Sequence, residues 1–357
     1  MGCSVARRTD GGPMTDEGRR VVVAGNLSLD DTVTPAGSQP LAPGGDALYA
    51  SVGLAAWGVT PTLLTLVGDD YPPEHRRRIA ASGIDTSRVR DIAGPTVHYR
   101  VTNFADGSRT YEWVSAEARL AATSPQASDY AALDGATWLH VAAMPIENQE
   151  VGVRAARAAG VPYSLDPHEE YVRGFEPRLL AMVEGSIFLP SELEVRLLFP
   201  DLSELLPMDL AFAAAQRLDA WRPVLVAIKL GSLGSVVRWG GRTVHVPAPM
   251  VDVVDPTGAG DAYCGGFIAG WLATQDPLVG AACGTIAAGE IIGRFGAFAP
   301  DDGTSVEDRI IRARAILASL PPSAGADLPV DERLRQLRSA ARRTGGAPIR
   351  RPPSNGR

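Results

Sequence analysis

The order of apolar segments predicts an α/β fold: a mostly parallel central sheet covered by helices on both faces, with a small second sheet standing over it. Three observations carry that reading. From Trp138 onward, short apolar strands alternate with helical segments, the pattern of parallel strands joined by crossover helices. Residues 96–115 alternate instead through Val97, Tyr99 and Val101, cross a polar Asp106-Gly107 turn and resume at Tyr111 and Trp113, which is a hairpin signal. An apolar stretch at 251–254, expected as a strand, runs into Asp255-Pro-Thr-Gly-Ala-Gly-Asp261 and then into a small-residue helix over 262–272.

In chain order, residues 1–18 mix Gly, Arg and Asp without periodicity and read as a disordered tail. Residues 20–24 form a first apolar strand. Residues 44–58 open on two glycines and continue through Ala47, Leu48, Ala50, Val52 and Leu54, a closely packing helix. A strand over 62–67 ends in Gly68-Asp69-Asp70. Further strands are expected at 138–141, 163–166, 186–189, 224–229 and 235–239, with helices near 147–160, 192–199 and 209–221. These elements make one large domain over 19–320. Residues 321–357 open on Pro321-Pro322 and hold eight Arg against Asp327, Asp331 and Glu332, so they read as a solvated basic tail with a helix near 331–343.

Composition removes several function classes. Apolar content of 45% and six Trp support a real core, and a net charge of −7 argues against a general nucleic-acid binder. No apolar run reaches membrane-spanning length, and residues 1–20 lack the apolar region of a secretory signal. Cys3, Cys264 and Cys283 are too few and too scattered for a disulfide framework or a zinc site. A cytoplasmic enzyme fits. Of the 34 basic residues only Lys229 is lysine, and Leu230 follows it, which excludes a Walker A loop. No H-R-D or D-F-G string is present, and Gly25-Asn-Leu-Ser replaces the dinucleotide fingerprint after the first strand.

Phosphate chemistry must then rest on backbone N–H groups, arginine and metal. Gly258 and Gly260 let the chain turn sharply and approach a ligand closely. The helix start behind them offers unpaired N–H groups and a positive dipole end. Asp261 places a carboxylate beside that anion site, where it would repel a resting phosphate. A base that takes a proton from a hydroxyl explains it economically; a helix cap is the plainer alternative.

The string Asp255-Pro-Thr-Gly-Ala-Gly-Asp261 resembles the C-terminal signature of the ribokinase-like (PfkB) carbohydrate kinases, and with four further stretches the resemblance covers about residues 20–318. It implies a ribokinase-like three-layer sandwich, with residues 96–115 in a β-sheet lid that in some members forms a homodimer contact. It implies ATP and Mg²⁺, with K⁺ as a further candidate, and a small-molecule acceptor: a sugar, a cyclitol such as inositol, or a nucleoside. Asp261 is then the catalytic base, and Gly258, Ala259 and Gly260 the anion hole.

Gly25-Asn-Leu-Ser-Leu-Asp30 resembles the family's first strand, whose final Asp binds substrate hydroxyls; Asp31 either shares that role or faces solvent. Gly44 and Gly45 match the glycine pair beside the sugar. Tyr49 stands where these enzymes commonly carry Asn, which implies a narrower pocket or a ring-bearing acceptor and disfavours plain ribose. Ser191 and Glu194 match the N-x-x-E stretch that organises nucleotide and Mg²⁺, with Glu192 as the alternative and Ser191 replacing Asn. Gly231 and Lys229 match the nucleotide-contacting turn, and Asp255 and Thr257 the positions that hold a monovalent cation. Asp255 equally suits an Asx turn. Asp166-Pro167-His168 follows a strand at the same sheet edge without an assigned role. A sugar-binding regulator that lost catalysis is the alternative, against which the intact Asp261 and its glycines argue.

Overall fold

The computed structural model describes residues 20–105, 108–298, 304–321 and 329–344. Strand β1 (Val21–Ala24) lies inside a nine-stranded sheet with all four residues buried. Val21 and Val23 enter one core, Val22 and Ala24 the other. Burial on both faces explains why the strand reads as an unbroken apolar run. The remaining strands are β2 (Ser28–Thr34), β3 (Gly37–Gly44), β4 (Thr62–Gly68), β5 (Val89–Ile92), β6 (Val97–Asn103), β7 (Arg109–Trp113), β8 (Trp138–Val141), β9 (Tyr163–Leu165), β10 (Ile187–Phe188), β11 (Leu225–Lys229), β12 (Ser235–Trp239) and β13 (Arg242–Val246). The large sheet has the order β13-β12-β11-β10-β9-β8-β1-β4-β5 and is parallel except at β11–β12 and β12–β13. The small sheet has the order β3-β2-β6-β7.

The helices are α1 (Asp46–Ala55), α2 (Pro73–Ala81), α3 (Ala118–Thr123), α4 (Ile146–Ala159), α5 (Glu176–Val183), α6 (Glu192–Leu198), α7 (Pro207–Leu218), α8 (Ala259–Thr274), α9 (Pro277–Ile292), α10 (Val306–Ser319) and α11 (Val330–Thr344). Helices α1, α8, α9, α10 and α11 fill the core on one face of the large sheet, through Leu48, Phe267, Ile286, Ile316 and Leu337. Helices α4 to α7 fill the other, through Val153, Leu179, Val195 and Leu210. Glycine sets the spacing where α8 meets α1. A Cβ on Gly265 would lie 1.9 Å from the Ala50 carbonyl oxygen, so the two helices pack backbone to backbone. Their shared contact brings the start of α1 and the start of α8 to one end of the molecule.

Several expectations need correction. Residues 251–254 are not a strand. Val251 and Val253 are exposed, and the N–H groups of Val254 and Asp255 donate to the Ile292 carbonyl at the end of α9, so no strand partner pairs them. Asp30 does not end the first strand. The strand ends at Ala24, residues 25–27 are irregular, and Asp30 lies on β2 of the small sheet. Gly44 closes β3, and the helix expected from residue 44 starts at Asp46. The C-terminal segment is not wholly solvated: α11 buries Leu334 and Leu337, and its Arg333 pairs with Asp276. The disordered tail at 1–18 and the Asp106-Gly107 turn lie outside the described residues.

Candidate active site

Three parallel strands deliver polar groups to the carboxyl edge of the large sheet, where ligands of such sheets bind. Asp166 follows β9, Lys229 ends β11, and Gly25-Asn26 follows β1 toward the small sheet. Lys229 Nζ lies 2.6 Å from Asp166 Oδ1 and 3.5 Å from Cys264 Sγ on α8. The Cys264 thiol in turn donates to Asp166 Oδ2 at 3.1 Å. A Cβ on Gly260 would be 3.6 Å from Lys229 Nζ, so the ammonium lies under the start of α8. Burial works against the Lys229 charge, but the carboxylates of Asp166, Glu194 and Asp261 outweigh it and hold its pKa well above the usual lysine value.

Gly258 caps α8 with φ of +76°, the left-handed conformation that favours glycine. The N–H groups of Gly258 and Gly260 have no acceptor among the described residues. The expected third donor is turned inward, since Ala259 N–H donates to the Pro256 carbonyl at 3.3 Å. Asp261, in the first turn of α8, is partly accessible. Burial, then the carboxylates of Asp46 and Asp166, hold its pKa well above the ordinary carboxylate range, against the pull of Lys229. Tyr49 lies across this loop: a Cβ on Gly258 would fall 2.2 Å from its ring atoms. Its hydroxyl stays neutral, because burial and the carboxylates of Asp30, Asp255 and Asp261 push its pKa up.

The small sheet supplies the opposite wall. Register pairs Asp30 with Tyr99 across β2 and β6, and Tyr99 with Trp113 across β6 and β7, so these three side chains share one face. Tyr99 and Trp113 ring centroids are 4.5 Å apart. Asp30 is buried and accepts from Ser28 Oγ at 2.7 Å; burial pushes its pKa up to about 7, with Ser28 partly offsetting. A Cβ on Gly44 would collide with the Asp30 carboxylate at 1.9 Å, and Gly45, φ +101°, would collide with the Asn26 carbonyl, which accounts for the glycine pair. Asp31 points to the other face, where His98 and Arg100 pair with it. Arg109 on β7 meets Glu169, beyond β9, at 3.6 Å and ties the lid to that loop.

Ser191 and Glu194 form a capping box at the start of α6. Glu194 is buried, and burial raises its pKa to about 7 against the opposing charge of Lys229. Its Oε2 is taken by the Ser191 N–H, while Oε1 meets no donor among the described residues. Glu192 is engaged with Arg196. Gly231 has φ of +55° and open space around its α-carbon. Thr257 and Asp255 lie just before the anion loop, with Thr257 N–H donating to Asp255 Oδ1 at 3.0 Å. Sequence reasoning missed Asp46 in the first turn of α1, whose pKa is raised to about 6 by burial. It also missed Asn103 and the partnership of Asp166 with Lys229. The position of Asp46 directly after the glycine pair was the one available signal.

A profile of the pfkB family carbohydrate kinases matches residues 21–302. The chain belongs to that family. It is 29% identical over 259 residues to the cytidine kinase of Thermococcus kodakarensis, covering 70% of this chain and 88% of that one. In fold it is similar to the nucleoside kinase of Burkholderia thailandensis in complex with inosine, with a TM-score of 0.66 at 17% identity over 84% of this chain and 99% of that one. It is also similar to the ribokinase of Arabidopsis thaliana complexed with ribose and ATP, with a TM-score of 0.65 at 20% identity over 83% of this chain and 99% of that one. The kinase is thus an ATP-dependent phosphotransferase acting on a sugar or nucleoside hydroxyl. No helix among its described residues is long and apolar enough to cross a membrane.

Proposed function

We propose that the acceptor is a nucleoside, the member of the sugar, cyclitol and nucleoside set that carries an aromatic nucleobase, and that Asp261 is the base that activates its hydroxyl. One observation carries the choice: Asp30, Tyr99 and Trp113 share one row of the lid face. A carboxylate that accepts two hydroxyl hydrogen bonds next to an aromatic platform suits a ribose diol with a base attached. The Tyr49 ring, buried against Gly258, backs the anion loop. The likeness to a cytidine kinase supports this reading.

The residues present fit ATP and Mg²⁺. The unpaired N–H groups of Gly258 and Gly260 and the positive end of α8 suit a phosphoryl group. Gly231 and Ser191 would hold the nucleotide, and Glu194, through its free Oε1, would hold water on Mg²⁺. Bound ATP with Mg²⁺ supplies the transferable γ-phosphoryl group and neutralises charge on it. Asp30, Gly44 and Gly45 orient the acceptor. Asp261 takes the hydroxyl proton, and its raised pKa makes it a stronger base than an exposed carboxylate. Lys229 supplies positive charge under Gly260, with Asp166 fixing its position. Most of the rate enhancement then comes from alignment and fixed charge.

The test is ADP release with cytidine, uridine, adenosine, inosine, ribose, fructose and inositol. The proposal expects a nucleoside to exceed every free sugar by roughly 10² or more in kcat/KM, the scale of discrimination by buried polar contacts. A free sugar equal to the best nucleoside would overturn the substrate choice. Binding of a sugar with no ADP release from any acceptor would favour the regulator.

A further inference from the structure

We propose that the lid residue Asn103 takes the place the family resemblance gives to a monovalent cation, so that the anion loop is held by the lid and not by K⁺. Asn103 ends β6 on the same face as Tyr99 and is 6% exposed. Its Nδ2 donates to Asp255 Oδ1 and to Thr257 Oγ1, 3.4 Å in each case. The amide nitrogen must be the end that faces them, because a carboxylate can only accept.

The other polar contacts at Asp255 point the same way. Oδ1 also accepts from Thr257 N–H at 3.0 Å, and Oδ2 accepts from Gly296 N–H at 3.5 Å. A bound cation needs oxygen lone pairs directed at it. Here the Asn103 amide nitrogen sits between Asp255 Oδ1 and Thr257 Oγ1, the two side-chain oxygens a cation would bridge, and Asp255 is 1% exposed. With a donor in that position, this pair of oxygens does not fit K⁺. It fits a neutral amide that ties two oxygens together. Thr257 immediately precedes Gly258, so this tie reaches the phosphoryl site one residue away. The strand that presents Tyr99 to the acceptor thus ends on the loop that faces the phosphate. Asn103 is a positioning residue: it acts through the loop and touches no reacting atom.

The kinetic half of this inference rests on the kinase reading; the binding half does not. Melting temperature and acceptor-dependent ADP release are measured in K⁺ and in tetramethylammonium at equal ionic strength, for the wild type, Asn103→Ala and Asn103→Asp. The wild type should show the same melting temperature and the same rate in both salts. Asn103→Asp keeps the shape, loses the donor and sets a second carboxylate against Asp255. It should lose about tenfold or more in kcat without K⁺, as expected for a lost hydrogen bond to a charged group. It should regain rate in K⁺, and its melting temperature should rise with K⁺ by mass action. Asn103→Ala should lose kcat with a smaller change in acceptor KM. A wild type whose rate or melting temperature rises with K⁺ overturns the proposal, as does Asn103→Ala with unchanged kcat. Should Asn103→Asp fail to fold, the other two proteins decide. Should no acceptor give ADP, the kinase reading fails and the wild-type melting comparison still decides the cation question.

Discussion

Asp166→Asn tests the polar node beneath the site. The substitution keeps the shape of the side chain and an oxygen that can accept from Lys229, so the loss measures charge. Lys229 and Asp166 side chains are 12% and 3% exposed, at 2.6 Å, so solvent screens the pair weakly. Removing one partner of a buried pair typically costs about 3–5 kcal/mol. Glu194 and Asp261 also stabilise the Lys229 charge and can ionise to compensate, which places the expected loss near the lower end, about 3 kcal/mol. The assay is urea unfolding of the wild type, Asp166→Asn, Lys229→Met and the double variant. The double variant should be more stable than additivity of the two single losses allows, because no stranded charge remains. A loss under about 1 kcal/mol in Asp166→Asn, with additive singles, would mean a pair behaving as if solvent-exposed and would refute the reasoning.

Three further outcomes follow from the packing and the titrations. The Asp30 carboxyl titrates at about 7 in the folded chain against an ordinary 3.8, so the folded state keeps a proton that the unfolded state releases as pH rises between those values. Its contribution to stability is full below that window and lost across it; Asp30→Asn should remove this slope, and an identical pH dependence of unfolding in both proteins would contradict it. Gly265→Ala forces a methyl to 1.9 Å from the Ala50 carbonyl oxygen, so a cost of roughly 3 kcal/mol or more is expected, at the upper end for overpacking, and a variant with wild-type urea midpoint would contradict the close contact of α1 and α8. Ending the chain at residue 321 removes the buried Leu334 and Leu337, each worth roughly 1.5–3 kcal/mol before the entropy of ordering the helix, so the melting temperature should fall; an unchanged value would mean that α11 adds nothing.

The seven inner strands of the large sheet were legible as apolar runs because they are largely buried; the edge strands β5 and β13, which carry exposed Arg90, Asp91 and Arg242, were not. Nor were strands β2 and β3. They carry Asp30, Asp31, Thr32 and Pro40, and Gly37, Ser38, Pro40 and Leu41 are exposed, so neither a run nor a clean alternation marks them. The stretch at 251–254 shows the opposite error: valines suggest a strand, but the backbone bonds to the end of α9. Contiguous candidate residues were readable as strings: the glycines and Asp261, and the pair Gly44-Gly45. Residues whose meaning lies in a distant partner were not. Asn103 meets Asp255 across 152 positions, Lys229 meets Asp166 across 63, and no local pattern encodes either. The basic composition of 321–357 hid two buried leucines, because Arg333 is itself buried against Asp276 and reads as a surface charge.

The central claim is that Asp261 takes the acceptor proton during phosphoryl transfer. The most direct measurement is kcat for ADP release with the best acceptor, in the wild type and in Asp261→Asn, with acceptor affinity measured separately by calorimetry. The account predicts a loss of roughly 10²–10⁴ in kcat, the contribution of a positioned general base, with acceptor affinity little changed. Turnover within a few-fold of the wild type would contradict it.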